Sequence, residues 1–153
     1  MLAAARVSAR LSRVARTTAL VLALAWIAIG ARVDAEHEVY YRYTVLGFVK
    51  DAHGRPLAGT QLELVREKTG FSYVGETDAE GFYLIIARLG DESVGEPLSL
   101  RIELASAPLI ARFDPSNHAD ERGTRVDVEG ARFVERRASF ASTLAAALGP
   151  PTR

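Results

Sequence analysis

Cysteine is absent from this 153-residue chain, and tryptophan and methionine each occur once, at Trp26 and Met1. Without thiols there is no disulfide framework, no thiolate metal site and no cysteine nucleophile. Acidic residues are missing from positions 1–33, a stretch that carries Arg6, Arg10, Arg13, Arg16 and Arg32. The apolar run Ala19–Gly30 has 12 residues, short of the ~20 that a membrane-spanning helix needs. No G-x-S-x-G elbow and no glycine-rich phosphate loop occur, so those two catalytic plans are excluded. A quarter of the residues are charged and six are proline, which argues against a disordered or collagen-like chain.

What is present divides the chain unevenly. A basic segment, a 12-residue apolar core and Val33-Asp34-Ala35 form the three-part plan of a secretory signal cut after Ala35. An uncleaved anchor and an organellar transit peptide are the alternatives. No cysteine follows the apolar core, which excludes a lipoprotein, and no Arg-Arg pair precedes it, so twin-arginine export lacks its mark. Beyond residue 35 the counts are 14 Lys+Arg and 18 Asp+Glu, a net charge of −4. An acidic domain has no electrostatic footprint for nucleic acid. Contact with a membrane is expected only through the signal segment, if it is left uncleaved.

Residues 36–134 read as short strands separated by turns. Leu98, Leu100, Ile102 and Leu104 alternate with Ser99, Arg101 and Glu103, the period-two pattern of a half-buried strand. Gln61–Leu64 and Arg125–Glu129 repeat it. Tyr40–Val49 and Phe82–Leu89 are longer and more apolar, as central strands are. Phe71–Glu76 and Leu109–Phe113 complete a set of seven. Turn residues intervene at Asp51–Leu57, Lys68–Gly70 and Asp78–Gly81, with Gly90–Pro97 as a polar loop. The rhythm predicts an all-β, seven-stranded β-sandwich and excludes a doubly wound α/β fold. Residues 135–153 differ: alanine-rich, with Phe140, Leu144 and Leu148 at helical spacing and Gly149-Pro150-Pro151 as a stop. A short helix over 136–148 is expected, packing one stripe on the sandwich.

Three segments carry a resemblance. Val45–Asp51 is an apolar strand with Gly47 that ends on Asp51. Gly54, Pro56, Leu57 and Gly59 make a G-x-P-L-x-G turn. Thr77, Asp78, Gly81 and Tyr83 make T-D-x-x-G-x-Y before a central strand. In order and spacing this resembles the carboxypeptidase regulatory-like domain family, over residues 45–84. The resemblance implies an Ig-like, transthyretin-like (prealbumin-like) sandwich. Such modules are attached to peptidases or outer-membrane receptors, or stand alone in exported bacterial proteins, and some related sandwiches bind carbohydrate.

Several clusters invite chemistry. His118-Ala119-Asp120-Glu121 matches an H-x-x-E zinc motif. A catalytic zinc needs a third ligand, however; no histidine follows Glu121, and His37 and His53 lie on segments of different character. Asp114, Asn117 and Asp120 are hard oxygen donors in one loop, of the type calcium takes. Tyr40, Tyr41, Tyr43, Tyr73 and Tyr83 could stack on sugars, although beyond residue 35 there is no tryptophan and the largest stacking face is missing. The chain ends without the Tyr-Arg-Gly-Ser motif of hydroxyisourate hydrolase, the enzyme with the transthyretin fold. The expectation is a periplasmic or secreted module with no enzymatic activity, no catalytic residues and no cofactor. Its role is structural or protein-interacting, its partner an unknown envelope protein or a polysaccharide. A carbohydrate-binding module and a hydrolase on the transthyretin-like scaffold are the alternatives.

Overall fold

A computed structural model describes residues 39–149. The expected signal segment, His37 and residues 150–153 lie outside the described residues. The alternating segments become eight strands: β1 (Tyr41–Lys50), β2 (Gln61–Arg66), β3 (Ser72–Glu76), β4 (Phe82–Leu89), β5 (Pro97–Ile102), β6 (Ala105–Ile110), β7 (Arg122–Glu129) and β8 (Arg132–Glu135). One α-helix, α1 (Phe140–Leu148), follows. The strands form two four-stranded sheets, ordered β4-β1-β7-β8 and β3-β2-β5-β6. β1 and β7 run parallel; the other neighbours are antiparallel.

Apolar residues at period two place one side of each sheet in a common core. Tyr43, Val45, Val49, Tyr83, Ile85, Val126 and Val128 come from the first sheet, and Leu62, Leu64, Leu98, Leu100 and Leu109 from the second. The opposite face of the first sheet is apolar at Leu46, Phe82 and Leu84, and α1 covers it with Phe140 and Leu144. Leu148, third in the expected stripe, is exposed. The helix starts later than expected because residues 137–139 form a 3-10 turn instead.

Several sequence expectations need correction. The strand expected over Leu109–Phe113 lies instead at Ala105–Ile110. Among the described residues there are eight strands where seven were expected. The extra strand, Arg132–Glu135, is too short for alternation to show, and it crosses the expected domain boundary at 134. The strand expected over 98–104 stops at Ile102, because Glu103 (φ 46°) and fully exposed Leu104 form the turn into β6. The segment Gly90–Pro97 is not simply a polar loop. Ser93 and Glu96 in it are buried, and residues 91–93 form a 3-10 turn.

The parallel pairing of β1 with β7 is interrupted at its centre. It runs from Tyr43–Arg122 to Leu46–Arg125 and resumes at Val49–Val128. In the gap a Cβ on Gly47 would lie 1.9 Å from the Val126 carbonyl oxygen, so only glycine fits. The groups freed by the gap are satisfied from side chains. The Tyr83 hydroxyl donates to the Val126 carbonyl at 2.7 Å, and the Phe48 N–H donates to Asp127 Oδ1 at 3.1 Å. Burial, reinforced by the Asp127 charge, pushes the Tyr83 phenol well above its ordinary value, so it remains a donor. Gly47→Ala is therefore expected to lower the melting temperature sharply or abolish folding. A thermal melt followed by circular dichroism checks this, and an unchanged midpoint would contradict the geometry.

Candidate functional site

The most unusual residue among those described is the first of β7. Counting back by twos from Val128 and Val126 places Thr124 and Arg122 on the core-facing side. Arg122 is accordingly buried, its side chain only 5% exposed. Its guanidinium lies between two rings, 4.6 Å from the centroid of Tyr41 and 4.5 Å from that of Phe113. Sandwiched cations of this kind gain about 2 kcal/mol when desolvated. Nη2 donates to Asp91 Oδ1 at 2.8 Å and reaches the carbonyls of Asn117, Pro115 and Asp114 at 3.2–3.5 Å. Nε and Nη1 are buried with no hydrogen-bond partner among the described residues.

Asp91 joins this cation to a histidine. Its second oxygen lies 2.9 Å from His118 Nε2, and the His118 ring stacks on Tyr41 with centroids 4.3 Å apart and planes 15° from parallel. Tyr41 Oη lies 3.4 Å from His118 Nδ1. In a stacked pair that oxygen sits off the imidazole plane, where the ring nitrogen has no lone pair to offer, so no Asp-His-Tyr proton relay is built. Partial desolvation pushes the Asp91 carboxyl up, but the hydrogen bonds from Arg122 and His118 outweigh it and hold the group below the usual carboxylate range.

A second buried ion pair anchors the segment that carries Asp91. Arg66 Nε and Nη2 donate to the two Glu96 oxygens at 2.7 and 2.8 Å. Nη2 also reaches Ser93 Oγ at 3.2 Å, and Nη1 reaches the Arg88 carbonyl at 3.3 Å. The 3-10 turn at 91–93 is thus tied to β2 and β4 just beside Asp91.

The residues singled out in sequence are placed as follows. Asp114 Oδ1 accepts from the Ser116 N–H and hydroxyl, which lowers its carboxyl below the ordinary range. Asn117 Nδ2 donates to Asp120 Oδ2 at 2.7 Å, and Asn117 Oδ1 accepts from the Ala119 and Asp120 N–H groups. The three oxygen donors of the calcium expectation therefore cap their own loop. Among the described residues no group of three or more His, Cys, Asp or Glu side chains converges as a metal site would require. The H-x-x-E pair diverges, His118 toward Asp91 and Glu121 toward Arg42. His53 sits in the exposed turn where Asp51 caps the backbone. Of the tyrosines, Tyr43 and Tyr83 are core residues, Tyr73 packs at its margin, Tyr41 is in the Arg122 stack, and Tyr40 is exposed.

Two cavities flank the loop that ends at Arg122. One, of about 260 Å³, lies between Arg112–Asp114, Asn117, Asp120–Gly123 and the start of α1 with the turn before it. The other, of about 240 Å³, is lined by Tyr41, Arg42 and residues 118–122. A larger hollow of about 520 Å³ lies away from this cluster, between the Lys50–Gly54 turn and the β7–β8 turn.

No protein-family model matches the chain, and no curated protein matches its sequence. Solved structures similar to it include chlorocatechol 1,2-dioxygenase from Pseudomonas putida (12% identity, TM-score 0.42), covering 63% of this chain and 60% of that one. The dioxygenase domain of a dioxygenase carbohydrate-binding protein fusion from Streptomyces sp. SirexAA-E is 16% identical over 66% of this chain and 79% of that one, with a TM-score of 0.39. Catechol 1,2-dioxygenase from Acinetobacter sp. ADP1 is 12% identical over 72% of this chain and 50% of that one, with a TM-score of 0.39. The chain thus spans 60% of the first of these proteins and half of the last. The expectation that the chain is not an enzyme is corrected by these neighbours, which are enzymes, and it is withdrawn. Likeness this distant carries no activity, substrate or metal over to the chain.

The Arg66–Glu96 pair generates a prediction. Hydrogen bonds from Arg66 hold the Glu96 carboxyl below its ordinary value despite desolvation. A folded-state value below the unfolded one stabilises the fold fully above the unfolded range, about 4.3, and that stability is lost as pH falls. Glu96→Gln leaves a buried cation unpaired and should cost about 3 kcal/mol at neutral pH. The variant's melting temperature should then fall less steeply than wild type between pH 7 and pH 3. Parallel acid slopes in thermal melts would contradict this assignment.

Proposed function

We propose that the chain is an exported β-sandwich of the carboxypeptidase regulatory-like, transthyretin-like kind. Its role is structural or protein-interacting, in the periplasm or outside the cell, with β8 added to the seven strands that the resemblance implies. The observation that carries this reading is the way Thr77 clips the two motif turns together. Its hydroxyl donates to the Leu57 carbonyl at 2.6 Å and accepts from the Thr60 N–H at 2.8 Å. Next to it, Asp78 Oδ1 accepts from the Glu80 and Phe82 N–H groups. Gly81 (φ 74°) brings its backbone beside Val49 and Pro56, where its carbonyl accepts from the Val49 N–H at 2.8 Å. The two motifs, some twenty residues apart in sequence, thus act as one structural unit.

Export rests on the basic and apolar plan of residues 1–35. An interaction role is supported by exposed apolar side chains at the edge of the second sheet, where Phe71 is 67% exposed and Val74 57%. Among the described residues no helix is long and apolar enough to cross a membrane.

Expression of the full chain in a Gram-negative host, followed by cell fractionation and intact mass measurement, tests the export half. The expected product is periplasmic or released and begins at Glu36. A product confined to the cytoplasm with residues 1–35 intact would overturn it.

A further inference from the structure

A strand at the end of a sheet offers its outward N–H and C=O groups to any chain that can pair with them, and the four end strands here differ in how they are guarded. On β6, Pro108 takes one N–H out of the free row. β8 has four residues, and Arg132 and Arg136 at its ends are ion-paired. β4 tucks under β3, its Leu84 carbonyl oxygen 3.3 Å from where a Cβ on Gly75 would stand. β3 carries no such device. The Arg66 N–H donates to the Phe71 carbonyl, and the Thr77 N–H to the Thr60 carbonyl. Bonded pairs alternate along an antiparallel ladder, so Phe71, Tyr73, Gly75 and Thr77 bond to β2. The backbone groups of Ser72, Val74 and Glu76 therefore point outward, and all three residues are exposed. Phe71 and Val74 add exposed apolar side chains to this edge.

We propose that β3 pairs with β3 of a second copy of this chain, antiparallel and centred on Val74. A two-fold axis perpendicular to a sheet keeps every side chain on its own face, so it joins residues whose numbers have the same parity. Outward backbone groups must also meet outward groups. Centring on Val74 meets both conditions. The two Val74 side chains face each other on the axis and leave water together. Each Ser72 lies opposite the other copy's Glu76, and each Tyr73 opposite a Gly75, where no side chain competes with its ring. Charge favours the same arrangement. Lys68 stands in the turn before β3, and Glu76, Asp78 and Glu80 at and beyond its far end; Glu67 is taken by Arg101. Antiparallel pairing brings the basic end of one edge to the acidic end of the other and keeps the two Glu76 apart. This pairing gives the interaction role proposed above its partner, rests on that reading, and does not depend on export.

Analytical ultracentrifugation of the intact protein, with cysteine cross-linking, tests this; the chain has no cysteine of its own to confuse the result. Wild type should dimerise with a dissociation constant of about 1 mM or tighter, as suits a small interface. Val74→Lys, which sets two ammonium groups against each other on the axis, should weaken the dimer at least about ten-fold with unchanged melting temperature. Opposed residues in such a pair have Cα atoms about 5.5 Å apart, within the roughly 4.4–6.8 Å that a disulfide spans. Val74→Cys should therefore cross-link to a dimer on mild oxidation. Glu76→Cys should not, because its counterpart lies four residues along the other strand, about 13 Å away. A mass that stays monomeric up to about 1 mM overturns the second copy as partner. That outcome bears on neither export nor contacts with other proteins, so it is distinguishable from failure of the reading above. A dimer that survives Val74→Lys overturns the placement at β3. Glu76→Cys cross-linking as fast as Val74→Cys overturns the register, and the cysteine variants decide the matter even if Val74→Lys unfolds the chain.

Discussion

A guanidinium cannot be taken out of water unpartnered without a cost of several kcal/mol, and at the start of β7 the guanidinium of Arg122 is buried. Much of the architecture at this end of the molecule answers that demand. Tyr41 and Phe113 cover the two faces of Arg122, Asp91 supplies the countercharge, and the backbone of 114–117 turns its carbonyls toward Nη2. Each partner comes from a different segment, so one buried cation fixes the mutual position of β1, the 91–93 turn and the loop before β7. The Arg66–Glu96 pair extends the same logic, because it holds the turn from which Asp91 reaches.

The middle of the first sheet obeys a related constraint. Where the ladder between β1 and β7 is interrupted, every backbone group must find another partner. Gly47 leaves room for the Val126 carbonyl, Tyr83 caps that carbonyl, and Asp127 caps the Phe48 N–H. Asp127 is itself neutralised by Arg125 and Arg136 at 2.8 Å each. Arg136 immediately precedes the 3-10 turn and α1, and it also holds Glu129. The interruption in the sheet and the segment leading into its covering helix are therefore electrostatically joined.

The strands with clear alternation were legible in the sequence because period two reports directly on burial. Phe82–Leu89 coincides with β4 to the residue, and Val126 and Val128 point inward as expected. Alternation says nothing about where a chain turns, so Leu104 carried the pattern past the end of β5. It also fails for four-residue strands such as β8. Charged residues on alternating positions read as solvent-facing, and that hid Asp127, which is buried by groups distant in sequence. Arg122 was within reach: its parity with Val126 and Val128 already placed it on the core side. Its partners were not, because Asp91, Phe113 and Tyr41 meet only through tertiary packing. The motif turns were readable as turn chemistry, but that Thr77 joins the two of them was not, because Leu57 and Thr60 reach it only in the folded chain.

The account stands or falls on Arg122 being a buried cation, stacked between two aromatic rings and paired with Asp91. Arginine side-chain nuclear magnetic resonance on the 15N-labelled chain reads this directly. The Arg122 Nε–H, flanked by two ring faces and shut off from solvent, should resonate well upfield of the exposed arginines. It should exchange with water much more slowly, and it should lose its displacement in Tyr41→Leu. An Arg122 signal that overlaps those of exposed arginines and exchanges as fast as they do would contradict the buried stack.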